Sequence, residues 1–387
     1  MKEEGPGASA EASRPSRSMS PGSSQSGTVH GVPAALWGSL FHKFASIVKL
    51  DPWSWLGPHD FFGIKPEKAA EPVFLHFRES DSAEAPGLTM VFGWQAEGLY
   101  RHVLAGIDHV AMRSYEIPLV RVYLRPLDEL TPVERAIFAV SGLEPDAQGR
   151  APVFVAYRPG WMPWILGADD AAFAEAVLNQ ALGVLLRAEP DKSIVARADP
   201  ATVWVRAFDK ESQAWTEDWE RIRPFRDHAP GPKSMPSEAL LAEANALPET
   251  LACVEADLDI VPKAALVNAE IVKKCASGRM PLGYLFAVGD ASPGAPGLAC
   301  LGNSLFYPCD DIAGLWNVIP ESLLRVFTSL GRRPREIAVS SYLMMAFLRP
   351  LQTRIHFKLT FHEKLPHFGA ILERTRALVD ESLQNPA

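Results

Sequence analysis

Residues 154–166 read Phe-Val-Ala-Tyr-Arg-Pro-Gly-Trp-Met-Pro-Trp-Ile-Leu, and the hydrophobic period changes across them. Residues 153–157 form a short apolar run of strand type. Arg158-Pro159-Gly160 ends that run, because proline fixes its own φ and pushes Arg158 towards extended geometry while glycine accepts positive φ. Trp161 and Trp164 then bracket Pro163. From Asp169 onward the apolar residues recur at helical spacing. Ala172, Phe173, Ala176, Val177, Ala181, Val184 and Leu185 share one stripe, with Asp169 as N-cap and Pro190 as stop. Each large member of that stripe contributes about 1.5–3 kcal/mol when buried. The pattern predicts an aromatic-rich corner clamping a core helix. A binding loop with Arg158, Trp161 and Trp164 as its contact residues is the alternative.

At 387 residues the chain exceeds one ordinary domain of ~150 residues. With 47% hydrophobic and 22% charged residues it can bury a large core. A net charge of -8 argues against a globally basic nucleic-acid binder and leaves only local basic patches open. Cys253, Cys275, Cys300 and Cys309 lack Cys-x-x-Cys spacing, so they are expected to be buried small hydrophobes in a reducing compartment. No apolar run approaches the ~18 residues of a membrane span, and the N-terminus has no hydrophobic signal core. A cytoplasmic protein without membrane contact is expected.

Residues 1–32 are rich in Ser, Gly, Pro and Ala and predict a disordered tail, with Met19 inside it as a second possible start. Residues 33–208 predict an α+β domain. It begins with a helix carrying Leu36, Leu40, Phe44, Ile47 and Val48, followed by an aromatic corner at Trp53–Trp55 and Phe61–Ile64. Strands are expected at 73–77, 88–92, 119–124, 153–157 and 202–208, and helices at 93–105 and 132–140. Residues 209–248, charged and proline-rich, read as a linker in which Trp215 and Trp219 pack a short helix. Residues 249–387 predict a second domain of order βββαβαβα, with strands near 251–260, 282–288, 298–306, 337–339 and 355–361 and helices near 320–330, 342–348 and 368–383.

Two resemblances follow from these residues. Trp53-Ser-Trp55, Phe62-Gly63, Tyr157–Trp164 and Gly331-Arg-Arg-Pro-Arg-Glu-Ile337 resemble an uncharacterised bacterial family built of two domains of unknown function, over roughly residues 33–383. Those motifs are turn and aromatic residues, so they imply no activity. The order βββαβαβα is similar to that of ribonuclease H-like domains. That resemblance implies two magnesium ions held by carboxylates from the first strand, the end of the fourth and the last helix. The first strand offers Asp257 and Asp259, and the last helix Glu373 and Asp380. The fourth strand, however, ends in Ser340-Ser341 where an acid is expected, so a degenerate centre is the expectation.

The same acids have plainer readings. Carboxylates alternating along a strand are usually its solvated face. A single divalent ion on Asp257 and Asp290 is a further alternative. Arg332, Arg333 and Arg335, with Arg354, Lys358 and Lys364 nearby, form the one compact basic group. It is read either as a phosphate or nucleic-acid contact or as cations favoured at a helix C-terminus. His356, His362 and His367 lack zinc-motif spacing, and no phosphate loop, nucleophile elbow or dinucleotide fingerprint occurs. The leading expectation is a cofactor-free binding protein. The alternative is a magnesium-dependent nuclease or phosphotransfer enzyme using Asp257, Asp259 and Glu373. A scaffold presenting Trp161 and Trp164 to a protein partner is a third reading.

Overall fold

Apolar strand runs and helical stripes sort the described residues into two large sheets, each with helices on both faces, and a small hairpin. The computed structural model describes residues 27–57, 59–80, 85–105, 115–224, 234–274, 279–295, 299–308 and 312–384. In the first half these are β1 (Thr28–Val29), β2 (Val32–Pro33), α1 (Ala34–Leu50), β3 (Phe61–Lys65), β4 (Val73–Ser80), β5 (Ala85–Phe92), α2 (Trp94–Leu104), β6 (Leu119–Pro126), α3 (Pro132–Ser141), β7 (Arg150–Tyr157), β8 (Trp164–Ile165), α4 (Ala168–Ala188), β9 (Thr202–Asp209) and β10 (Ala214–Arg221). Eight strands pair in the order β10-β9-β3-β4-β5-β6-β7-β8, parallel only between β3 and β9. Helices α1 and α4 bury Leu40, Phe41, Phe44, Val177, Val184 and Leu185 against one face, where Phe62, Leu75, Met90 and Phe154 point. Helix α2 covers the other face with Trp94 and Leu99 on Phe61, Phe74 and Val91.

The second half contains α5 (Glu238–Ala246), β11 (Glu249–Val261), α6 (Ala269–Lys274), β12 (Gly283–Asp290), β13 (Cys300–Phe306), α7 (Ile312–Leu330), β14 (Arg333–Val339), α8 (Tyr342–Leu348), β15 (Lys358–Phe361) and α9 (Pro366–Gln384). Their strands form a mixed sheet of order β13-β12-β11-β14-β15, with β12 antiparallel to both neighbours and β11, β14 and β15 parallel. Helices α5, α7 and α8 pack on the face of Val254, Ala256, Leu258 and Ile260. Helix α9 covers the opposite face with Phe368, Ile371, Leu372 and Val379.

Several expectations are corrected. Residues 28–32, expected within a disordered tail, form a hairpin with Pro33, and its turn residues His30 and Gly31 both take positive φ, as a two-residue turn of that hand requires. Val32 is buried there and the Trp37 indole N–H donates to Val29 O at 3.2 Å. The Met19 start lies outside the described residues. Phe61–Ile64 is strand, not an aromatic corner. Trp215 and Trp219 lie on strand β10, not a helix, and α5 joins the second core, so the stretch expected as linker carries elements of both halves. The carboxylate face of β11 is not solvated, because α9 lies across it. Cys253 is half-buried and Cys300 exposed, whereas burial was expected; Cys275 and Cys309 lie outside the described residues. Helix α4 is long and apolar enough to cross a membrane by length and composition, the one such helix among the described residues, and its apolar stripe is packed on the sheet.

The residues after β7 join the two sheets. Gly160 O accepts from Leu282 N at 2.8 Å, Met162 N donates to Met280 O at 2.8 Å, and Trp161 lies opposite Pro281 in an antiparallel bridge. Gly160 has φ +83°, and an added Cβ would stand 3.2 Å from the Pro308 ring. Asp170 pairs with Arg158 from its own half and, at 2.9 Å, with Arg279 from the other. We expect Gly160→Ala to destabilise the chain by about 1–3 kcal/mol in thermal unfolding. Gly183→Ala, in α4 with open space around it, should instead stabilise by about 0.5–1 kcal/mol. Equal effects at the two positions would show that the joint imposes no conformational demand.

Candidate functional site

The registers of three antiparallel strands bring residues distant in sequence to one edge of the large sheet. Val91 lies opposite Leu119, and Leu119 opposite Tyr157, so the end of β5, the start of β6 and the end of β7 meet there. Helix α4 returns over this edge with Asp169, Asp170 and Phe173. Together with Phe92, Pro118, Ala156, Arg158, Pro159 and Trp161 they enclose a cleft of about 600 Å³. That size lies in the range of small-molecule sites, roughly 300–1,000 Å³. Three rings of its lining, Phe92, Trp161 and Phe173, are half-buried, while the Tyr157 ring packs with the α2 side of the sheet under the Arg121 guanidinium at 5.5 Å. Phe92 and Phe173 meet edge to face at 5.7 Å between centroids. Burial pushes the Tyr157 phenol up. Asp169 is exposed, while Asp170 is 13% exposed between its two arginines.

Of the three predicted contact residues in this motif, Arg158 and Trp161 line the cleft and Trp164 does not. Trp164 is 39% exposed, and its indole N–H donates to His30 Nε2 of the hairpin at 3.2 Å. Sequence reasoning missed Phe92, Leu119 and Tyr157, which look like ordinary strand residues, and took Asp169 for a cap. The actual N-cap of α4 is Gly167, without a side-chain bond, so the Asp169 carboxylate is not occupied in capping.

The predicted acidic centre has a different character. Asp257 is 1% exposed, and its carboxylate accepts five hydrogen bonds. Ser340 donates from N at 2.5 Å and Oγ at 2.7 Å, Ser341 from N at 3.1 Å and Oγ at 2.9 Å, and Leu258 from N at 2.8 Å. Ser341 also caps α8, its Oγ accepting from Met344 N at 3.1 Å. Burial pushes the Asp257 carboxyl up, and these donors pull it back.

Magnesium does not fit these residues. Asp259 accepts from Ile260 N and lies 3.6 Å from Arg376, which also pairs with Glu373 at 3.0 Å. Asp380 pairs with Lys263. Asp290 lies directly opposite Val254 in the ladder, so it shares the α7 and α8 face. Asp257, an odd number of residues further along, points to the other face, and the expected Asp257–Asp290 pair is not formed. Among the described residues no group of three or more His, Cys, Asp or Glu is placed to hold a metal.

The basic group is largely paired. Arg333 donates to Glu249 at 3.0 Å, to Leu247 O at 3.1 Å and to His356 O at 2.5 Å, stapling β14 to the chain ahead of β11. Arg335, 75% exposed, pairs with the same Glu249, and Lys358 and Arg354 pair with Glu336 and Glu238. Arg332 follows Gly331, whose φ of +64° ends α7. This is a cross-linked edge, in which Arg333 and Arg335 share Glu249 while Arg354 and Lys358 each have an acid of their own.

Asp257→Asn tests the acidic centre. Replacing one carboxylate oxygen by an amide turns an acceptor towards a Ser N–H or hydroxyl donor, so we expect a loss of about 2–4 kcal/mol in denaturant unfolding. A metal-binding acid would behave oppositely, since removing its charge without the ion relieves repulsion. Unchanged or increased stability in Asp257→Asn would refute the structural role.

Comparison with known proteins returns no curated protein and no solved structure that matches the chain. Residues 37–206, running from α1 into β9, match the family model described as Domain of unknown function (DUF7309).

Proposed function

We propose that this chain is a non-catalytic binding protein that holds a small ligand with a planar apolar part in the cleft of its first half. The observation that carries this is the cleft itself, about 600 Å³ and lined by three half-buried rings. Exposed rings converging on one concavity retain solvation cost that a flat ligand would relieve, at roughly 25 cal/mol per Å² of apolar area removed from water.

On this reading the chain comprises two domains, and the second is a degenerate relative of ribonuclease H-like proteins. Its mixed sheet supports the kinship, as does an element order that matches βββαβαβα apart from the short α6 between β11 and β12. Ser340 and Ser341 stand where such a centre needs an acid, and they bind Asp257 instead. The kinship is one of fold, and fold alone does not carry an activity. The alternative, a nuclease using Asp257, requires a carboxylate open to an ion, and this one is enclosed by its donors.

The full chain heated with naphthylmethanol, an uncharged planar probe, should show a saturable rise in Tm of about 2–4 °C at a tenfold excess over Kd. Trp161→Leu should abolish the rise and Trp164→Leu should preserve it. A wild-type chain without a saturable rise would overturn the cleft as the binding site, and magnesium-dependent cleavage of nucleic acid lost in Asp257→Asn would overturn the non-catalytic reading.

A further inference from the structure

Three charged side chains line the cleft: Arg158, Asp169 and Asp170. Two of them are committed to each other, because Asp170 pairs with Arg158 and is also held by Arg279 at 2.9 Å. Asp169 is exposed in the first turn of α4, and among the described residues no cation pairs with it. Arg158 and Arg279 share the one Asp170 carboxylate, so Asp169 brings this group to neutrality, and it is the charged group of the lining that has no partner among the described residues.

The rings around it act in the same direction. The face of an aromatic ring carries the negative end of its quadrupole, and Phe92, Trp161 and Phe173 line the same cleft as Asp169. An ammonium group over such faces is attracted by the rings and by the carboxylate together. Two features favour an anion instead, and both are already answered. The N-terminus of α4 attracts negative charge, but Asp169 and Asp170 occupy its first turn. Arg158 would attract a carboxylate or phosphate, but it has Asp170 as its partner.

We propose that the cleft selects an organic cation, a primary or quaternary ammonium attached to a ring-sized apolar body. This rests on the cleft being the ligand site. The ammonium sits beside Asp169 at the mouth, and the apolar body lies between Phe92, Trp161 and Phe173.

Calorimetry on the full chain at neutral pH and low salt separates the two claims with three probes that share one ring system: naphthylmethylamine, which is cationic, naphthylmethanol and naphthoate. The amine should bind about tenfold tighter than the alcohol, with naphthoate weakest, and added salt should shrink the difference. Asp169→Asn, at an exposed position that leaves the core untouched, should bring the ratio of amine to alcohol affinity to about one. Arg158→Gln, which frees Asp170 from one partner, should raise that ratio. Equal affinities for amine and alcohol in the wild type, or naphthoate as the tightest ligand, would overturn the cation preference and leave the cleft standing. Failure of all three probes to bind would overturn both.

Discussion

Everything placed around the cleft depends on how the backbone after β7 satisfies its hydrogen bonds. Pro159 and Pro163 have no N–H to offer, and Gly160 turns the chain at positive φ, so residues 160–162 leave the large sheet with polar groups unpaired. They find partners in residues 280–282, just ahead of β12, the second strand of the small sheet. The same segment therefore has two jobs. Its backbone docks one half of the chain on the other, and the Trp161 side chain forms a wall of the cleft. Asp170 repeats the pattern, with its carboxylate on a guanidinium from each half while its side chain lines the same cleft. A ligand that presses on Trp161 or Asp170 thus acts on the joint as well, since both belong to one hydrogen-bonded unit.

Much of this fold was legible in the sequence, and the failures have physical causes. Apolar runs at 73–77, 88–92, 119–124 and 153–157 mark strands that extend to 73–80, 85–92, 119–126 and 150–157, and α4 follows from its stripe at 3.6 residues. Trp215 and Trp219 misled because residues four apart share a face in a helix and in a strand alike. Strand β10 has Trp215, Glu217 and Trp219 on one side, where Arg206 lies over the Trp215 ring at 5.2 Å and pairs with Glu217. The alternating acids of β11 misled in a different way. Alternation shows that a strand has two faces, but not which face a later helix will cover, and α9 lies more than a hundred residues further along. The cleft was half visible. Arg158 and Trp161 stand out in a motif rich in proline and aromatic residues, while Phe92, Leu119 and Tyr157 join them only through strand register.

A polar cluster that no sequence pattern marked lies under α2. His76 and Glu97 are buried and meet at 2.7 Å, with Arg101 on the other Glu97 oxygen at 3.1 Å. His76 stacks on Phe61 at 4.8 Å, and Arg197 lies over that ring at 4.9 Å. Removing one member of such a group strands the others in a low-dielectric setting, so it fixes the seating of α2 on β4 more than it adds stability. Arg333 works alike at the far end of the chain, where one guanidinium ties β14 to Glu249, Leu247 and His356. In both places charge specifies which elements meet, and apolar burial supplies the drive.

What a carboxylate can do here is set by how many of its lone pairs are already committed. Asp257 accepts five hydrogen bonds and is out of reach of solvent, so it shapes the turn between β14 and α8 and has nothing left to offer an ion. Asp259 and Glu373 share Arg376, Asp290 accepts from Ser292 N, and Asp170 is divided between two guanidiniums. Type and spacing singled out most of these acids in the sequence, but those properties do not reveal commitment, which depends on donors brought from elsewhere by the fold. Asp169 is the exception among them, because the same turn that gives Asp170 to the joint leaves its neighbour facing the cleft. The joint and the open charge are thus consequences of one helix start, where the buried carboxylate holds the halves together and the exposed one is left free for whatever enters.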